Sequence, residues 1–163
     1  MIRRATAEDH DWIIATAIQA YADLGDYDVV MSSWLAQPGV LAWLETGGGT
    51  ARETRRGFAL LGFYQERLPP EVGQLVAVAD ILAIAVADAY RRRGVATTLL
   101  HHVITVAGRT GPSQGVHEVR LTVAADNVVS QRMYERAGFQ LSAFDPGPYA
   151  SGQRALRMVR ALP

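Results

Sequence analysis

The spacing of apolar residues changes repeatedly along the chain, and each change marks an element. Residues 2–4 read as a short first strand. Trp12, Ile13, Ala17, Ala20 and Tyr21 then recur at helical spacing, in a stripe that runs out near Gly25. Thr6 stands where an N-cap is needed, with Asp9 placed to answer it. The mixed stretch 26–38 predicts a second short helix, stopped by Pro38-Gly39. Val40–Leu44 and Gly57–Tyr64 read as strands, separated by a flexible turn over Thr46–Thr50. Pro69, Pro70 and Gly73 predict the next hairpin turn.

Leu75–Val86 is a long, nearly continuous apolar run, the pattern of a central strand covered on both faces. Val95, Leu99, Val103 and Val106 share one helical face, predicting a helix over Val95–Ala107. Val119–Val123 alternates as a strand, and Val128–Ala137 reads as a helix closed by Gly138. Phe139–Phe144 and Ala155–Val159 read as two last strands around a Pro/Gly/Tyr loop, 145–152. The order is strand, two helices, three strands, helix, strand, helix, two strands. Hairpins dominate the first half, and one strand-helix-strand crossover in the middle puts two parallel strands into the sheet. The expected class is α/β of mixed α+β type, one domain over residues 1–163, with helices on both faces of a mixed sheet.

Composition removes several chemistries. Lys+Arg and Asp+Glu both number 16, so no global charge draws the chain to nucleic acid or an anionic membrane. There is no cysteine, which excludes disulfides, thiolate metal ligands and Cys nucleophiles. His10, His101, His102 and His117 lack zinc-site spacing. The run Leu75–Ala87 contains Asp80 and is too short to span a bilayer, and no signal peptide is read at the N-terminus. A cytoplasmic protein is expected.

Two segments carry the candidate chemistry. Arg91-Arg92-Arg93-Gly94-Val95-Ala96 joins the apolar strand to the helix. The first N–H groups of a helix lack intrahelical partners and lie at the positive end of its dipole. Gly94 and Ala96 place almost no side chain over them, so the turn reads as a phosphate site rimmed by arginine. It fits neither the Walker nor the dinucleotide-fold loop. The other reading is a tight turn with a solvated Arg run. In the second segment, Asn127, Ser130 and Tyr134 fall on one helical face near the carboxyl end of a parallel strand, where ligands of α/β sheets bind. Singly, Asn127 also reads as a cap, Ser130 as solvated and Tyr134 as half-buried core.

In order and spacing, the long strand, the R-x-x-G-x-A turn, its helix, the next strand and N-x-x-S-x-x-x-Y-x-x-x-G-F resemble the acetyl-CoA core of the GNAT superfamily of N-acetyltransferases. Ala87-Asp88-Ala89-Tyr90 stands where that family often has x-P-x-Y. The match spans about residues 75–140. It implies the GNAT fold, a mostly antiparallel sheet of about seven strands with a central parallel pair. It also implies acetyl-CoA as cosubstrate. The pyrophosphate would lie on the N–H groups of Arg92 to Ala96, with Arg91, Arg92, Arg93, Gly94, Val95, Ala96 and Thr97 as the cofactor turn. The pantetheine would run like a strand beside Ile84, Ala85 and Val86. Asn127 and Ser130 would contact the cofactor, Tyr134 would protonate the leaving thiolate, and an N–H near Val86 would polarise the thioester carbonyl. Without cysteine, direct attack by an amine in a ternary complex is the available route.

Asp80 is the candidate general base, because it interrupts an apolar strand where the family often has an acidic residue. It also reads as solvent-facing or paired with an arginine. Glu118, Asp126 and His117 are lesser candidates. Trp34, Tyr21 and Tyr27 are candidate acceptor-pocket residues, with core packing as the other reading of each. Gly147 to Met158 resembles the tail of peptide N-terminal acetyltransferases, including the ribosomal-protein kind, and Tyr149 matches a position that helps hold the substrate backbone. The acidic pair of those tails is replaced here by Gln153-Arg154. Three functions remain open: acetylation of a protein N-terminus or lysine, acetylation of a small amine with Asp23, Asp26 and Asp28 as acidic suppliers, and non-catalytic acyl-CoA binding. Dimers are common in the superfamily, so a homodimer is carried as an implication that no sequence feature demonstrates.

Overall fold

The computed structural model describes residues 1–48, 52–68 and 73–163. Among these, strands β1 (Ile2–Arg4), β2 (Val40–Gly47), β3 (Thr54–Arg67), β4 (Leu75–Val86), β5 (Glu118–Ala124), β6 (Gln140–Leu141) and β7 (Ala155–Ala161) form one sheet. Their spatial order is β1-β2-β3-β4-β5-β7-β6. Every pairing is antiparallel except β4 with β5. The helices are α1 (His10–Ala20), α2 (Tyr27–Leu35), α3 (Val95–Thr110) and α4 (Val128–Arg136). The mixed sheet with one central parallel pair agrees with the expected fold.

Strand alternation sends side chains to two cores. Ala59, Leu61, Ala79, Ile81, Val119 and Leu121 meet the buried face of α3 (Val95, Leu99, Val103, Ala107), with Tyr134 and Met133 of α4 at its edge. Phe58, Leu60, Ala83 and Ala85 meet Ile13 and Ala17 of α1 and Met31 of α2 on the other face. Gly57 permits α3 to start close to the sheet: a Cβ there would lie 2.9 Å from both the Ala85 carbonyl and Val95 Cγ1.

The elements match expectation in order and differ at their ends. Thr6 and Asp9 do form a capping box, with the Asp9 carboxylate accepting from the Thr6 N–H at 2.9 Å, but a 3-10 turn (Ala7–Asp9) precedes α1. The same carboxylate accepts from Arg3 and Arg55, tying the start of the helix to β1 and β3. α1 stops at Ala20, earlier than the stripe suggested, so Tyr21 leaves the helix. β3 runs beyond Tyr64 because Gln65, Glu66 and Arg67 pair with Ala77, Val76 and Leu75 in an exposed two-stranded extension. The predicted strand Phe139–Phe144 shrinks to Gln140–Leu141. Phe139 instead enters the core, and Phe144 folds under the Arg157 guanidinium, 4.2 Å from its ring. Of the two expected turns, Gly49, Thr50, Pro69 and Pro70 lie outside the described residues.

The feature that positions the site is a local failure of pairing. β4 and β5 are in register only at Ala79–Val119, Asp80–Arg120 and Ile81–Leu121. Immediately after, Leu82 is an extra residue opposite β3, a bulge that bends β4. Beyond it β4 stays with β3 as far as Val86, while β5 stays with β7 as far as Ala124. The two parallel strands diverge and leave a gap.

Candidate functional site

The gap opens into a cleft of about 730 Å³ that runs from the α3 N-terminus, along Ile84–Val86, to the turn after α1 and the loop before β7. In this stretch the pairs Phe58–Ala85 and Arg56–Ala87 use their hydrogen-bonding groups within the β3 side, as the Ala87 N–H to Arg56 carbonyl bond shows. Alternation therefore turns the N–H and carbonyl of Ile84 and of Val86 toward the gap. β5 no longer claims this row, whose groups meet side chains instead: the Val86 carbonyl accepts from Arg91 Nε at 3.4 Å and the Ile84 groups meet the Tyr21 hydroxyl.

At the far end of this row the chain turns into α3. Arg92 adopts φ +61 and Gly94 φ +79, two left-handed residues that swing the backbone so that successive N–H groups converge. A Cβ on Gly94 would meet nothing within 4 Å, so the glycine answers the backbone conformation and keeps that space open. Among the described residues, none accepts from the N–H groups of Arg92 to Thr97. α3 has 16 residues and no acid in its first turn, so its positive end is uncompensated. Arg91 and Arg92 line the cleft here. Arg91 is held by Asp88 at 2.9 Å. Arg93 turns away, its guanidinium 5.8 Å from the Tyr90 ring, so only its backbone belongs to the turn.

Across the gap stands α4. Asn127 caps it, its Oδ1 accepting from the Ser130 N–H at 3.1 Å, which leaves its amide NH2 free to face the cleft that both residues line. The capping and ligand readings of Asn127 are thus compatible. Tyr134 also lines the cleft, and among the described residues its hydroxyl has no partner. Burial pushes its phenol up to about 12. Tyr149, from the loop before β7, and Tyr21 and Tyr27 complete the wall around the same end. Burial, and then the neighbouring phenols, raise Tyr21 and Tyr149 as well, so this end of the cleft is a cluster of neutral phenols.

Asp80 and Trp34 are elsewhere, and so are the lesser candidates Glu118, His117, Asp26 and Asp28, none of which lines the cleft. Asp80 does not line the cleft: its carboxylate accepts from Tyr64 Oη at 2.7 Å and from Arg120 Nε at 3.1 Å. Arg120 also reaches Glu66 at 2.7 Å, closing a polar cluster where β4 and β5 are still paired. Trp34 does not line the cleft either; it stands edge-on to Tyr27, ring centroids 6.3 Å apart, and packs in the α1–α2 core. Sequence reasoning left Tyr21 between acceptor pocket and core; it named Asp23 as an acidic supplier, which does line the cleft, and it missed Gln153 as a member of the wall. Tyr21 closed a regular apolar stripe, and nothing in the pattern signalled that its helix would end one residue earlier. The carboxylates that do line the cleft are Asp23 and Asp126. Among the described residues no group of three or more metal-ligating side chains occurs, and no helix is long and apolar enough to cross a membrane.

Known proteins share this fold. The chain superposes on Arabidopsis thaliana NAA60 in complex with acetyl-CoA with a TM-score of 0.76, at 16% identity over 99% of this chain and 97% of that one. It superposes on the ribosomal-protein-S18-alanine N-acetyltransferase of Escherichia coli with a TM-score of 0.71, at 21% identity over 99% and 93%. These likenesses concern the fold. An N-alpha-acetyltransferase of Saccharolobus solfataricus is 32% identical over 92 residues, 56% of this chain, and the chain spans about half (53%) of that relative's length. The model of the acetyltransferase (GNAT) family matches residues 11–139, which takes in both the turn before α3 and all of α4. The protein belongs to the acetyltransferase (GNAT) family.

Proposed function

We propose that this protein transfers an acetyl group from acetyl-CoA to a primary amine, and that the preferred amine is the α-amine of a polypeptide. The observation that carries the reading is the diverging pair β4 and β5, with unpaired N–H groups at one end of the gap and an unpartnered phenol at the other. These residues suit the cofactor. The N–H groups of Arg92 to Thr97, with Arg91 and Arg92 beside them, fit a pyrophosphate. The gap-facing edge at Ile84 and Val86, unpaired with any strand, fits a pantetheine arm laid along it, with Asn127 on the opposite wall. When bound, acetyl-CoA supplies an activated acyl carbonyl.

The chain's own groups then have defined tasks. A gap-facing N–H of Ile84 or Val86 donates to the carbonyl oxygen as charge builds on it during attack by the amine. Tyr134 holds a proton at its Oη and gives it to the departing sulfur as the C–S bond breaks and the C–N bond stays. Its raised pKa keeps that proton in place until a thiolate appears. The base is the less demanding part if the acceptor is an α-amine. Such an amine titrates near 7.7–8.0, so a useful fraction is already neutral, whereas a lysine near 10.4 needs an efficient base. Phenols make up much of the wall at this end and Asp80 is engaged elsewhere, so proton loss to water, or to the Asp23 carboxylate in the same wall, suits the geometry. The S18-alanine enzyme and the N-alpha-acetyltransferase act, by their names, on α-amines, which supports the same choice.

A second reading has one observation in its favour: Asp23 lines the cleft and can receive a cationic small amine. One assay separates them. Thiol release from acetyl-CoA is followed with peptides bearing free or blocked N-termini, and with polyamines and amino acids. Turnover that needs a free peptide N-terminus supports the proposal. Turnover confined to small amines, or none with any peptide, rejects it.

A further inference from the structure

The row of backbone groups offered by β4 is not empty in this structure. The Tyr21 hydroxyl sits on Ile84 and uses both of its gap-facing groups: it donates to the Ile84 carbonyl at 2.7 Å and accepts from the Ile84 N–H at 3.1 Å. One donor and one acceptor on a single atom imitate the amide of a neighbouring strand. Burial raises the Tyr21 phenol well above its ordinary value, so the hydroxyl is neutral and can play both parts. The side chain comes from the first residue after α1, where the chain has left the helix, and its ring stacks on Tyr27 with centroids 4.6 Å apart. Tyr27 in turn meets Trp34 of α2.

We infer that Tyr21 is a placeholder for the acyl-pantetheine end of the cofactor, which must displace its hydroxyl from Ile84 before the thioester can be seated. The inference rests on the reading that acetyl-CoA lies along β4. Two ligands cannot share one N–H and one carbonyl lone-pair direction at full strength, so the side chain and the cofactor compete. Displacement also moves a ring stacked on Tyr27, a wall residue at the acceptor end. Loading the cofactor therefore reshapes the acceptor wall, which makes cofactor-first binding the natural order.

The competition sets the sign of a substitution. Tyr21→Phe keeps the ring stack and removes the hydroxyl. In the free protein the Ile84 groups are then left without their partner, while the loaded state loses nothing, so acetyl-CoA should bind about tenfold more tightly. The adenosine bisphosphate fragment of the cofactor, which has no pantetheine arm, should bind both proteins equally. Calorimetric titration of wild type and variant with both ligands reads this directly. If the wild type binds acetyl-CoA but Tyr21→Phe binds it equally or more weakly, Tyr21 stays in place and the placeholder is rejected. If the wild type binds no acetyl-CoA, the cofactor reading fails and this inference with it. A measurement on the wild type alone guards against a variant that misfolds. In stopped-flow mixing, the observed rate should level off with rising acetyl-CoA, because release of Tyr21 becomes limiting, and should stay linear for the fragment. Linear behaviour for both would also overturn the inference.

Discussion

The two halves of β4 make opposite use of the same strand. In the first half, Ala79 to Ile81 are paired on both sides, and the one charged residue, Asp80, faces its register neighbour Arg120 across the parallel ladder. In the second half, after the bulge at Leu82, one side of the strand has lost its partner, and Ile84 turns its N–H and carbonyl to a side-chain hydroxyl. The first half holds the conspicuous side chain and the second holds the site. Polarity inside an apolar strand is satisfied by the nearest opposite charge wherever the ladder is intact. Function needs the reverse, backbone groups that no neighbouring strand claims.

The sharpest way to break this contrast is at the end of the open half. Gly94→Glu should abolish acetyl-CoA binding, with a loss of at least about a hundredfold in Kd, because a carboxylate at the α3 N-terminus competes with phosphate for the same N–H groups. A Cβ there meets no heavy atom within 4 Å, so the cost at the backbone is the left-handed φ of +79, about 1 kcal/mol. Calorimetry beside a thermal melt separates the two effects. Unchanged affinity in a folded variant would make the turn purely structural.

Next in size is the opposite wall of the gap. Tyr134→Phe should lower kcat by about a hundredfold while leaving the Kd for acetyl-CoA within about threefold, since the hydroxyl acts on the leaving sulfur. The pH profile adds a signed test. A phenol raised to about 12 keeps its proton well beyond its ordinary value of 10, so wild-type kcat should show no alkaline loss through Tyr134 below about pH 11. A decline centred near 10 that disappears in Tyr134→Phe would contradict the assigned role.

Much of this molecule was legible from spacing. The apolar runs located each element, the order of elements with its one crossover predicted helices on both sides of the sheet, and the Arg-Gly turn with the Asn127-to-Phe139 segment marked both walls of the cleft. Other features came from long-range geometry. That β4 and β5 part after Ile81 depends on a one-residue bulge that no local pattern announces. That the Tyr21 hydroxyl reaches the Ile84 backbone depends on where α1 ends and on a contact 63 residues away, neither of which a local pattern announces. Two of the candidates away from the cleft share a cause. Asp80 and Trp34 attracted notice as residue types, and each is absorbed by packing: Asp80 by Arg120, forty residues away, and Trp34 by the α1–α2 core beside Tyr27.

The smallest expected effect on turnover belongs to the closed half of β4. Asp80→Asn removes the charge that faces Arg120 and keeps the shape, so kcat should stay within about twofold of wild type once the protein is folded. Stability should fall instead. Arg120 and Asp80 are largely buried, with side-chain exposures of 10% and 13%, and the loss leaves the guanidinium with Glu66 and Tyr64 as partners. Removing one member of such a pair without the other costs about 1–3 kcal/mol, readable as a shift in the denaturant midpoint at constant slope. Replacing Asp80 and Arg120 together by Asn and Met should recover part of that loss, because the second change removes a largely buried charge that has lost one of its two carboxylates. A large fall in kcat for Asp80→Asn at unchanged stability would return this carboxylate to the chemistry. It would also mean that the gap between β4 and β5 opens further toward Asp80 in the working enzyme than the pairing of Asp80 with Arg120 allows.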